Sequence, residues 1–88
     1  MAPLNNMNNL QWKVIDDLLE EMVNEQRNKL LTFGRRVIPT LTPEDMLQPN
    51  DYPALENHPH FRYEEGILAG LQSSQIAFRS LKNSNDMH

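Results

Sequence analysis

From Asn8 to Ile38 the chain has no proline and a single glycine, Gly34, and its charge is split along the way. Asp16, Asp17, Glu20, Glu21 and Glu25 come first; Arg27, Lys29, Arg35 and Arg36 follow. A helix macrodipole favours acid near the start and base near the end. An antiparallel copy of the same helix would favour the same split, because each acidic half would lie against a basic half. At 100° per residue, Leu10, Val14, Ile15, Leu18, Leu19, Met22, Val23, Leu30, Leu31 and Phe33 share one side of this helix. Lys13, Asp16, Asp17, Glu20, Asn24, Asn28 and Lys29 fall on the other. The apolar sector is wider than the roughly 100° that one packing partner covers, so two neighbours are expected. Between Asn24 and Lys29 no residue is apolar, and Gln26 interrupts the stripe. A second polar element must cover that turn, or the contact there is wet. Gly34 and Pro39 are the stop signals, and the proline drives Ile38 to extended geometry.

A single domain is the expectation for 88 residues. A chain of this size buries only about 60–65% of the surface its unfolded form exposes, so the core is thin. Without cysteine it has neither a disulfide staple nor a thiolate for zinc or nucleophilic attack. No apolar run is long enough to span a membrane. The start, Met1-Ala2-Pro3-Leu4-Asn5-Asn6, lacks the basic and apolar blocks of a secretory signal, and a cytoplasmic protein is expected.

Residues 1–7 read as a loose lead-in, with Met7 the first core contact, and 8–38 as helix 1. The crossover, 39–59, holds five of the six prolines. Within it Thr42-Pro43-Glu44-Asp45 is a helix start: a hydroxyl cap, a proline at the first position, then acids at the positive end. Met46 and Leu47 are its expected inward side chains, and Pro49 stops it early. A second turn is expected over Tyr52-Pro53-Ala54-Leu55, capped by Asp51. Helix 2 is expected over 60–82 and a frayed tail over 83–88. Its stripe reads Tyr63, Ile67, Gly70, Leu71, Ser74, Phe78 and Leu81. Small residues recur on or beside it: Gly66, Gly70, Ser74 and Ala77. Glycine weakens a helix by about 1 kcal/mol relative to alanine. Close crossing of helix 1 is the expected reason for these small residues, with room for a ligand the alternative. The Pro49-Asn50-Asp51-Tyr52-Pro53 segment resembles the turn of small secretion-apparatus needle subunits, which are helical hairpins of similar length. The crossover here is much longer than such a turn, and no family is assigned.

Chemistry-bearing clusters are few. His58, His60 and Glu64 form a candidate three-ligand metal site, because imidazole and carboxylate suit zinc or iron and His60 and Glu64 share a helix face. The plainer reading has both histidines flanking the helix-starting Pro59 in solvent. Glu20, Glu21 and Glu25 are a candidate acid/base group, Glu25 lying nearest the apolar edge. Their plainer reading is a solvated acidic face. Arg27, Lys29, Arg35 and Arg36 could track phosphates, but the net charge is −4 and these bases follow directly on five acids. Trp12, Tyr52, Phe61 and Tyr63 are aromatic anchors for a partner or caps of a small core.

The expectation is therefore an all-α protein. Two long antiparallel helices are joined by a Pro-rich crossover with short helical turns and paired as a homodimeric four-helix bundle, the first helices running opposite ways. Leu10, Trp12, Val14, Ile15, Leu18, Leu19, Met22, Val23 and Leu30 are the expected interface. A non-enzymatic protein-interaction module is expected: an adaptor, small chaperone or regulatory subunit without a cofactor. A metal- or ligand-binding protein using His58, His60 and Glu64 ranks second, and a nucleic-acid accessory using the Arg27–Arg36 cluster third.

Overall fold

A computed structural model describes residues 7–86. The described residues form helices joined by turns, with no strand among them, so the all-α expectation holds. The first helix, α1, spans Asn9–Val37. It opens on a reciprocal cap: the Gln11 N–H donates to Asn8 Oδ1 and the Asn8 N–H donates to Gln11 Oε1, both at 2.8 Å. Such a box satisfies donors that a helix start otherwise leaves free. Arg35 and Arg36 occupy the last turn, where the dipole is negative. Ile38, extended ahead of Pro39, ends the helix.

Gly34 is not the stop signal expected of it. The helix runs through it, and the residue is buried because the crossover presses on it. A Cβ there would lie 2.6 Å from Leu41 Cδ2 and 3.5 Å from the Phe61 ring. Leu41 is itself buried and has little room to yield. Gly34→Ala should lower stability by about 1–2 kcal/mol, because overpacking costs about 1–3 and better helix propensity returns up to about 1. Urea denaturation of the variant checks this; an unchanged or higher midpoint means that Leu41 moves aside freely.

The crossover is built of single turns. The Arg35 guanidinium Nε donates to the Leu41 carbonyl at 2.9 Å and ties it to α1. Thr42 and Asp45 cap each other: the Thr42 N–H donates to Asp45 Oδ2 at 2.9 Å, and the Asp45 N–H to Thr42 Oγ1 at 3.2 Å. Two 3₁₀ turns follow, Asp45–Leu47 and Pro49–Asp51, then the four-residue helix α2, Pro53–Glu56. Two expectations fail here. Leu47 points outward, 78% exposed, and only Met46 is partly buried. Asp51 does not cap α2, because it closes the preceding 3₁₀ turn and Tyr52 takes the cap position with no side-chain bond.

The third helix, α3, spans Pro59–Asp86 and runs past the expected end at 82. Residues 83–86, expected to fray, are helical; the lead-in 1–6 and residues 87–88 lie outside the described residues. α3 returns along α1 in the opposite direction. Trp12 meets Phe78 with ring centroids 5.0 Å apart, Glu20 meets Gln75, and Gln26 meets Glu64. A row of buried and half-buried positions on α1, Trp12, Asp16, Leu19, Val23, Gln26, Leu30, Phe33 and Val37, is spaced by four and three in turn. A matching row on α3 is Phe61, Glu64, Leu68, Leu71, Gln75, Phe78 and Lys82, spaced by three and four. Both are the heptad seams of a two-stranded coiled coil. At the crossover end the seam widens into a cluster of Leu30, Leu41, Leu55 and Phe61, flanked by Leu31, Phe33, Val37, Ile38, Met46, Tyr52 and Leu68.

Of the α3 stripe expected from sequence, Leu71 and Phe78 fall in this seam and Ile67 is half-buried beside it, but the rest is rotated away. Tyr63, Gly70, Ser74 and Leu81 are exposed, and Phe61, Glu64, Leu68 and Gln75 take the inward places. Gly66 and Gly70 are not a close crossing of α1, since a Cβ at either would meet nothing within 4 Å. Ser74 and Ala77 are likewise exposed, and the Ser74 hydroxyl donates to the Gly70 carbonyl on its own helix. Among the described residues no helix is long and apolar enough to cross a membrane.

Candidate functional site

Two polar layers interrupt the apolar seam. In the first, Gln26 Nε2 donates to Glu64 Oε2 at 2.7 Å and to the Glu64 backbone carbonyl at 2.9 Å. Lys29 Nζ reaches Glu64 Oε1 at 3.2 Å, and His60 Nε2 lies 3.4 Å from the same oxygen. This layer covers the polar gap at Asn24–Lys29: the inward Gln26 has a buried acceptor opposite it. The Gln26 amide, and after it the Lys29 ammonium, hold the Glu64 carboxyl below the usual glutamate range against the opposing effect of burial. In the second layer Gln75 Nε2 donates to Glu20 Oε2, and Arg79 binds Asp16 at 2.8 Å and Glu20 at 3.1 Å. The Arg79 hydrogen bond lowers the Asp16 pKa.

These shifts fix a pH dependence. A carboxyl whose folded pKa lies below its unfolded value binds fewer protons when folded. The stability it contributes is complete above the ordinary carboxylate range of about 4 and is lost as pH falls through the folded value. Melting temperature should therefore drop below about pH 4, and Glu64→Gln should flatten the drop. A thermal melt series from neutral pH downwards checks it; an equally steep fall in the variant would remove Glu64 from the account.

The two flanks of the α1–α3 pair differ. The crossover covers one: Arg27 and Leu31 of α1 and Leu68 and Gln72 of α3 line a groove of about 440 Å³ with Pro43, Met46 and Pro49. The other flank is open. There Lys29, Thr32, Phe33 and Arg36 meet His60 and Glu64 around a smaller hollow. Following α1 at about 100° per residue from Arg36 and Lys29 leads to Met22 and Leu18 on this same open flank, while Val14 and Leu10 wind on to the side of α1 facing away from α3. Following α3 by sevens from His60 leads to Ile67, Ser74 and Leu81. Leu10, Val14, Leu18 and Met22 are 69%, 60%, 55% and 39% exposed. Ile15 and Leu19 are half-buried beside them.

The expected interface divides accordingly. Leu10, Val14, Leu18 and Met22 are open to a partner. Trp12, Val23 and Leu30 are not, because their own chain buries them. Trp12 packs on Phe78, and its Nε1 has no partner among the described residues. Phe61 is core, Tyr52 is half-buried with its hydroxyl bonded to Asp45, and Tyr63 is exposed.

The other candidate clusters come apart. His60 and Glu64 do meet, but His58 does not join them. Its Nδ1 accepts the Phe61 N–H at 3.4 Å at the start of α3, and the two imidazoles lie against the Phe33 ring at 5.0 and 4.4 Å. Among the described residues no group of three or more acids or histidines could hold a metal ion. The bases disperse as well. Arg27 lines the crossover groove, Lys29 pairs with Glu64, Arg35 holds Leu41, and Arg36 lies on the open flank. Of the acid group, Glu20 bonds Gln75 and Arg79, while Glu21 and Glu25 are exposed. The polar layers themselves have a sequence signal, the inward Gln26; nothing comparable marks Glu64 or Gln75.

Compared with protein-family models, curated proteins and solved structures, the chain matches none.

Proposed function

We propose that the protein is a non-enzymatic interaction module, an adaptor, small chaperone or regulatory subunit, built on a helical hairpin that self-associates into a homodimeric four-helix bundle. The exposed row Leu10, Val14, Leu18 and Met22 carries this reading. Fully covering an aliphatic side chain contributes about 1.5–3 kcal/mol. Even half of that from each member of the row is comparable with the 5–15 kcal/mol stability of an ordinary domain. Contiguous apolar surface of this kind marks interaction sites. Sedimentation equilibrium at micromolar concentration should give about twice the 10.3 kDa chain mass. Leu18→Lys should return the single-chain mass with helical circular dichroism intact. A single-chain mass for the native protein across that range overturns self-association.

A further inference from the structure

The open flank has two unlike halves. On α1 its exposed apolar residues are large: Leu18 and Met22. On α3 the exposed residues of that flank include Gly70, Ser74 and Ala77, and no residue from Gly66 through Phe78 is charged. Exposed helix surface is ordinarily charged on its solvent side. Neither glycine is required by packing within the chain, because a Cβ at Gly66 or Gly70 meets nothing within 4 Å.

The contacts between Trp12 and Phe78, Glu20 and Gln75, and Gln26 and Glu64 set the relative heights of the two helices. At those heights Val14 is level with Ala77, Leu18 with Ser74, and Met22 with Gly70. Leu18 and Met22 of α1 thus each have a small residue at their own level on α3, on the same flank. A twofold axis parallel to the helices lays α1 of one molecule over α3 of the other and keeps every level. We propose that a second copy of this chain docks in this way, the Leu18 and Met22 ridge of each molecule seating on Ser74 and Gly70 of the other.

Charge selects this arrangement over the pairing of first helices expected from sequence. The exposed acids Asp17, Glu21 and Glu25 run beside the ridge, Asp17 paired with Lys13, while the basic residues Arg27, Lys29, Arg35 and Arg36 lie beyond its end. Two α1 helices laid antiparallel and centred on the ridge therefore place acid against acid, whereas the neutral surface of α3 places nothing against them. In the proposed bundle the two α1 helices run the same way at opposite corners. Area is sufficient too. The molecule is 48 × 22 × 17 Å, so its broad face offers an envelope of about 1,000 Å², against the roughly 800 Å² per partner of a standard interface.

This inference rests on the self-association reading, and the experiment separates the two. The native chain has no cysteine, so introduced thiols are unambiguous. Leu18→Cys and Ser74→Cys proteins are mixed in equal amounts and mildly oxidised. The mixed disulfide should dominate. Dominance of the Leu18→Cys homodimer overturns the arrangement while leaving self-association intact. A single-chain mass with no disulfide formed overturns both. Gly70→Leu supplies the second measurement. It should keep or raise the helicity and melting temperature of the dilute single chain, since leucine is the better helix former. It should weaken the dimer by roughly tenfold or more, since the new side chain fills the groove. An unchanged dissociation constant overturns the arrangement.

Discussion

Phe61→Ala should leave much of the protein unfolded at room temperature. The ring is fully buried, and it lies where the start of α3, the crossover and the last third of α1 converge on Leu30, Leu41 and Leu55. Truncating a core phenylalanine costs about 3–5 kcal/mol through lost transfer free energy and the cavity left behind. Ordinary domains have about 5–15 kcal/mol in total, and one of this size sits near the lower end. The site cannot collapse easily to fill the hole. Gly34 already brings the α1 backbone close to the ring, and Leu41 is held from the other side by the Arg35 bond to its carbonyl. Far-UV circular dichroism and a urea titration read the outcome. A variant that keeps the native midpoint would place the stability of the fold along the α1–α3 seam instead of at the crossover end.

The first helix was legible because its residues state their own terms. An unbroken run, a charge split and Pro39 are local signals, and α1 ends where they say. The crossover was legible for the same reason: Thr42, Pro43 and Asp45 dictate a turn whatever surrounds them. What escaped was the facing of α3. A pattern search rewards apolar and small residues, and so it selected Tyr63, Gly70 and Ser74. The true seam contains Glu64 and Gln75, which count against burial in any hydropathy pattern. Glu64 is inward only because Gln26 supplies a donor across the seam, and that pairing joins residues on different helices. The inward Gln26 was itself visible, as a polar residue inside an apolar stripe. Its partner was not, since several acids of α3 and the crossover could have answered it. Gly34 misled in the opposite way. Glycine near a helix end suggests a stop, yet here its missing side chain admits Leu41.

The open flank follows from the same facing. Had α3 turned Tyr63 and Gly70 inward, it would have used its small residues against α1, and little uncharged surface would have remained outside. Because Phe61, Glu64, Leu68, Leu71, Gln75 and Phe78 face α1, the small, uncharged side of α3 is left beside Leu18 and Met22 of α1. The interaction reading thus depends on polar residues in the seam: they set the rotation of α3 and so decide what the molecule presents to others.

Replacing Gln26 and Glu64 separately and together should show what that polar layer does. Gln26→Leu removes the closest donor to a buried carboxylate and should destabilise the fold. Glu64→Leu leaves one N–H of the Gln26 amide without an acceptor, and a buried unsatisfied group of this kind costs about 1–3 kcal/mol. Replacing both puts two leucines at facing seam positions, where apolar pairs of similar volume are often as stable as the polar pair or more so. The double variant should therefore be at least as stable as the native protein, with a coupling of about 1–3 kcal/mol between the sites. Its loss should appear in uniqueness instead. With the polar layer gone, α3 is free to present Tyr63, Ile67 and Gly70 to α1 as an alternative apolar seam, and a single polar seam position is known to fix register and oligomeric state in coiled coils. Amide spectra should broaden or double, and the proposed dimer should give way to mixed assemblies, while urea resistance holds or rises. A double variant weaker than either single replacement, with one sharp set of amide signals, would make the Gln26–Glu64 pair a source of stability and not the element that sets the rotation of α3.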